Sequence, residues 1–150
     1  DKFSFSESDI GLFYAWVGIW LVITQGFLVP RLAKKYASST LLKITIFTLG
    51  ASIFLVIFPE NVTWEYAIAP FIALSQGVSA PNLISVLSHP ASASQQGQLL
   101  GINQSMQSLG AAIPPIIGGY LTAMSSLYPL VASAIVIFLS WNILELKIIN

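Results

Sequence analysis

The residues with the most scope for chemistry are uncharged amides and hydroxyls set inside long apolar runs. Ser75, Ser79 and Asn82 recur at helical spacing, with Gln76 and Gly77 beside the first of them. Asn103 and Gln107 stand one helical turn apart, with Gln104 and Ser108 on the adjoining stripe. Burying an amide in an apolar medium without a partner costs roughly 2–7 kcal/mol. Such groups must therefore face other helices or a wet cavity. On the first alternative they hydrogen-bond across helix seams and bind nothing. On the second they form a wall that holds a small-molecule substrate. The residues expected to line that wall are Gln76, Asn82, Asn103 and Gln107, with Trp20 and Phe71 as apolar contacts. Phe13, Trp16 and Trp20 recur every three or four residues. They form either a stacking wall or a face turned to lipid or core.

Other chemistries find no support. No Asp, Glu, Arg or His lies deep in an apolar run, so the usual mark of a proton or ion pathway is missing. There is no zincin helix, no nucleophile elbow and no phosphate-binding Walker loop. Cysteine is absent, which removes thiolate chemistry and cysteine metal sites. His89 sits beside Pro90 with no second histidine or acid near it in sequence, as a solvated side chain would. No enzyme activity, cofactor or metal is expected. A net charge of zero gives no reason to expect nucleic acid as a partner.

The elements that must position these residues follow from composition. The chain has 55% hydrophobic and only 8% charged residues, with a mean hydropathy of +0.80. A soluble domain carries about 25% charged residues, so the expected surroundings are a lipid bilayer. About 20 apolar residues span its core as a helix. Five such runs are present, over about 10–29, 41–58, 66–87, 99–122 and 130–144, the fourth being the most polar. They are too long for membrane β-strands and do not alternate. In lipid the backbone must satisfy its own hydrogen bonds, which makes these runs helices. The predicted fold is an all-α polytopic bundle of about five helices forming one transmembrane domain over 1–150.

Charge orients the bundle. Five spans put Arg31, Lys34, Lys35, Lys43 and Lys147 on one side, leaving Lys2 with Asp1, Glu7, Asp9, Glu60 and Glu65 on the other. Five of six basic residues thus share a side, which the positive-inside rule assigns to the cytoplasm, together with the C-terminus. Adding or losing one internal span would scatter them. The chain opens on Asp1 with a polar stretch, and a piece of a longer polypeptide is expected.

The pattern resembles the C-terminal half of a major facilitator superfamily transporter over nearly the whole chain. Ser8-Asp9-Ile10-Gly11-Leu12 looks like the opening of that family's eighth helix, and Gln25 through Tyr36 like its end and the basic loop beyond. The strongest likeness runs from Gln96-Gly97-Gln98 through Gln107-Ser108-Leu109-Gly110 to Pro114-Pro115-Ile116-Ile117-Gly118-Gly119, resembling the tenth-to-eleventh loop and eleventh helix in the style of drug/proton antiporters of the tetracycline-efflux type. The resemblance implies helices 8 to 12 of a secondary transporter, a partner N-terminal half, and a bacterial inner-membrane location. It implies a cavity lined in this half by helices 7, 8, 10 and 11, and a cytoplasmic gating loop at Arg31, Lys34 and Lys35. That loop carries Pro30, Lys34 and Ala37 where the family pattern has glycines and an acid. Any proton-coupling group would lie in the other half. The alternative from another class is a non-transporting membrane scaffold or receptor-like bundle.

Overall fold

In the computed structural model, residues 6–58, 61–88 and 92–149 are described. Asp1, Lys2, Glu60 and His89 lie outside them, and the side chain of Lys147 is likewise not described. Five helices form among the described residues: α1 (Glu7–Ala33), α2 (Ser38–Leu55), α3 (Val62–Ser88), α4 (Ala93–Met124) and α5 (Tyr128–Ile149). The all-α bundle expected from the apolar runs is the fold observed. Four helices, α1, α2, α3 and α5, are long and apolar enough to cross a membrane. α4 is 32 residues long and uncharged, but its amides hold its hydropathy below theirs.

Several helices outrun their apolar cores. α4 begins at Ala93, before the run starting near Leu99, and the Ser92 N–H donates to Gln95 Oε1 at 3.3 Å as its first turn forms. α1 begins on a reciprocal cap between Ser6 and Asp9. It then runs through Pro30 by widening to a π-helical turn over Thr24–Leu28. Proline removes one N–H, and its ring crowds the carbonyl four residues earlier. The wider turn relieves that crowding, and the Val29 N–H reaches back to Thr24 O.

Direction is fixed by side-chain registers. From α2 to α3, Ser38 bonds Ser85 at 3.0 Å, Ser79 donates to Thr45 at 2.8 Å, and Thr48 meets Ser75 at 2.8 Å. Numbers rise along α2 as they fall along α3, so the two are antiparallel. Leu41, Leu42, Ala73 and Val78 are buried along this seam. α1 runs parallel to α3: Trp16 meets Tyr66, and Thr24 meets Gly77. α5 is antiparallel to α2, with Phe47 against Phe138 and Trp141, and Lys43 paired with Glu145 at 3.0 Å. One end of the bundle therefore gathers Arg31, Lys34, Lys35 and Lys43 with the end of α5, the same grouping the spans imply.

Two devices bind α1 to α3. Pro70 lies inside α3 and leaves the Tyr66 carbonyl without its intrahelical donor. The Trp16 indole N–H supplies one instead, at 3.0 Å, while Phe13 packs edge-on to the Tyr66 ring at 5.3 Å. Further along α3, Gly77 lets α1 come so close that a Cβ there would sit 2.8 Å from Thr24 Cγ2.

Candidate functional site

α4 packs lightly on α3 and α5, and only Leu99, Asn103, Gly118 and Leu121 along it are half-buried among the residues whose side chains are described. Its composition explains this. Glycines and prolines offer little apolar volume to bury, and the first half of the helix is amide-rich. Asn103, Gln107, Pro114, Ile117 and Leu121 recur at spacings of three, four and seven, which puts them on one stripe. The lower part of that stripe, Pro114, Ile117, Gly118 and Leu121, lines an open-sided chamber of about 470 Å³ with Leu49 and Ile53 of α2, Gln76 of α3, and Val136 and Ile137 of α5.

The chamber is apolar except for two side chains. Ser133 donates its hydroxyl to Pro129 O at 2.7 Å, which leaves the Gln76 amide as the group free to meet a ligand. Among the described residues, no hydrogen bond engages the side chains of Gln76, Asn103 or Gln107. Pro114 and Pro115 also free the carbonyls of Gly110 and Ala111, both exposed. The stripe thus offers neutral donors and acceptors in an apolar frame. Such a surface orients a molecule by hydrogen bonding and shape and has no charge with which to neutralise an ion.

The six residues expected to form one wall occupy more than one place. Gln76 lines the chamber, whereas Asn103 and Gln107 stand further along the α4 stripe and are not among the chamber's lining residues. Asn82 is buried, 4% exposed, and its Nδ2 donates to Val78 O at 2.8 Å in its own helix. Phe71 lines a separate apolar cleft of about 360 Å³ with Trp64 and Ile68, opposite Thr48, Ser52 and Leu55 of α2. Trp20 lies in the α1–α3 seam, edge-on to Trp16 at 5.7 Å, with its indole Nε1 buried and unpartnered. Ser75 and Ser79 take the seam-bonding alternative, each tied to a threonine of α2.

At the cationic end, Arg31 Nη1 donates to Phe27 O at 2.9 Å and its guanidinium lies 5.8 Å over the Phe27 ring. Lys35 lies 5.4 Å over the Tyr36 ring, and Lys34 is exposed. Arg31 thus braces the end of its own helix, whereas Lys34 remains open to the surroundings. The roles of two residues escaped the sequence reading. Trp16 acts as the donor that Pro70 removes, a role signalled by the four-residue step from Tyr66 to Pro70. Gln25, in the π turn, lies with its Cγ 3.8 Å from the Cβ position of Gly77, and its signal is Pro30 five residues on.

Comparisons agree with this architecture. A family model described as Major Facilitator Superfamily matches residues 1–146. Multidrug resistance protein 2 of Bacillus subtilis (strain 168) is 27% identical over 128 residues, covering 85% of this chain. The chain spans 32% of that relative's length. No solved structure matches the chain.

Proposed function

The chain belongs to the major facilitator superfamily, and from that premise we propose that it forms part of a secondary transporter that exports small, largely apolar molecules. The carrying observation is the α4 side of the bundle, where Gln76 is unpartnered in an apolar chamber and Asn103 and Gln107 are unpartnered further along the α4 stripe, outside the chamber's lining. In lipid these amides and the carbonyls freed by Pro114 and Pro115 would be costly, and non-helical hydrogen-bonding needs at membrane depth are met only by protein or water. A second helical half facing α4 across a wet cleft meets that need. The relative's length, about three times the matched segment, leaves room for one.

Efflux is supported by the relative's name, which states multidrug resistance for that protein. Neutral hydrogen-bonding groups in an apolar frame suit varied substrates better than one ion. The basic end would face the cytoplasm of a bacterial inner membrane by the positive-inside rule, and the C-terminus with it. If export is coupled to proton entry, the titrating group belongs to the other half, because the amide stripe contains none.

The test is transport by the full-length protein with Gln76→Ala, Asn103→Ala and Gln107→Ala, at matched membrane expression. Each lost hydrogen bond to substrate is worth about 1 kcal/mol, so efflux of a sensitive substrate should drop by roughly fivefold per site. Unchanged efflux in all three would overturn the cavity assignment.

A further inference from the structure

The side of α2 turned away from the chamber carries a second cleft. It has a volume of about 500 Å³ and is lined by Thr40, Lys43, Ile44 and Phe47 of α2 with Trp141 and Glu145 of α5. Phe47 and Leu49 are two residues apart and so point about 160° apart around the helix. Leu49 faces the chamber, and Phe47 faces this cleft. The cleft therefore opens on the outer surface, where the apolar residues Ile44 and Phe47 are exposed.

Its depth matches a headgroup. Lys43 lies five residues from the start of α2 and Glu145 four from the end of α5. At about 1.5 Å per residue, both are roughly 6–8 Å inside the helix ends. Trp141 packs on Phe47 with centroids 5.4 Å apart about one turn deeper, roughly 12–14 Å inside the same ends, as an apolar floor beneath the two charges.

The charges are not used up by each other. Lys43 Nζ and a Glu145 oxygen are 3.0 Å apart, and the two side chains remain 20% and 36% exposed. An ammonium has three donors and a carboxylate about four acceptor sites, so each retains capacity after pairing. A ligand that carries a phosphate and a primary ammonium completes both: phosphate on Lys43, ammonium on Glu145. A purely anionic headgroup would meet Glu145 as a like charge. A quaternary ammonium has no N–H to give the carboxylate.

We propose that the Lys43–Glu145 cleft binds a phospholipid with an ethanolamine-type headgroup, its acyl chains lying along Ile44 and Phe47. The site is separate from the transport cavity and independent of what that cavity carries.

The purified full-length protein is delipidated in detergent and titrated with phosphatidylethanolamine, phosphatidylcholine and phosphatidylglycerol of identical chains. Retained lipid is counted by native mass spectrometry. The ethanolamine lipid should be retained about tenfold better than the other two, as one charge-assisted hydrogen bond implies. Glu145→Gln should abolish its advantage over the choline lipid, and Lys43→Gln should weaken retention of both. Glycerophosphoethanolamine without chains should fail to compete at equal concentration, which separates a lipid site from a free-phosphate site. Equal retention of the three lipids by the unaltered protein would overturn the proposal, whatever the variants' folding. So would a choline preference, which assigns the cleft to the Trp141 ring instead, or an ethanolamine preference that survives Glu145→Gln.

Discussion

Ser75 and Gln76 are neighbours in sequence and face opposite circumstances. Ser75 is 4% exposed and bonded to Thr48 across the α2–α3 seam. Gln76 is exposed and unpartnered at the chamber beside α4. The seam is built from short hydroxyls, small residues and close backbones, and each of its polar groups discussed above has a partner within the bundle. The α4 side is built from long amides and broken backbone, and its polar groups look outward. Hydroxyls serve the seam because their short reach closes a bond between packed helices and can also return to the backbone. The Thr45 hydroxyl accepts from Ser79 and donates to Leu41 O at 2.8 Å. Amides need more room and two kinds of partner, and the bundle leaves theirs open. One region spends its polar groups on packing and the other leaves its amides unpartnered, and that division can be broken by substitution.

The largest loss is expected at Gly77. Its Cβ position lies 2.8 Å from Thr24 Cγ2, and Thr24 is fully buried with its hydroxyl committed to Trp20 O at 2.6 Å. A β-branched side chain so held cannot rotate aside. Gly77→Ala must therefore push α1 off α3, at a cost of about 1–3 kcal/mol. Thermal unfolding in detergent would register this, and an unchanged midpoint would show that the close approach is dispensable. Gly50, 3.0 Å from Ile137 Cγ2, should tolerate alanine better, since the overlap there is smaller and a shift of a few tenths of an ångström relieves it.

Next comes the Trp16–Tyr66 bond. Trp16→Phe keeps an aromatic ring and removes the donor, leaving the Tyr66 carbonyl unpaired for about 1 kcal/mol. In a Pro70→Ala background the helix regains its own N–H, and the same change should be nearly neutral. A double-mutant cycle with no coupling would refute the idea that one helix repairs the other's proline break.

Much of this architecture is legible in the amino-acid sequence. The apolar runs specify five helices, and the side-by-side grouping of Arg31, Lys34, Lys35 and Lys43 follows from alternating spans. The wall is less legible. A spacing of five residues turns Phe71 about 140° from Gln76, but sequence alone does not tell which direction holds α2 and which holds α4. Asn82 shares helical spacing with Ser75 and so follows it into the packed side. Polarity is also a poor guide to helix ends: residues 93–98 read as loop because they are polar, yet amides outside an apolar core cost a helix little.

The hydroxyl seam should yield smaller losses, since hydrogen bonds between helices in lipid average about 0.6 kcal/mol. Thr48→Val and Ser75→Ala should each cost about that much. Combined, they should cost less than the sum, because both remove one shared bond. Additive losses would mean that the 2.8 Å contact contributes nothing beyond packing.

The smallest effect on folding belongs to the α4 stripe. Asn103→Ala and Gln107→Ala remove groups that hold no partner within the bundle, so unfolding should shift by less than about 0.5 kcal/mol. This is the sharpest form of the contrast, because the same two changes are expected to reduce efflux. A residue that positions its neighbours would lower both together. A residue whose amide waits for a ligand lowers transport alone. If Asn103→Ala destabilises the full-length protein by as much as Thr48→Val does, then Asn103 bonds the second half proposed to face α4, and the proposed ligand-facing amides reduce to Gln76 and Gln107.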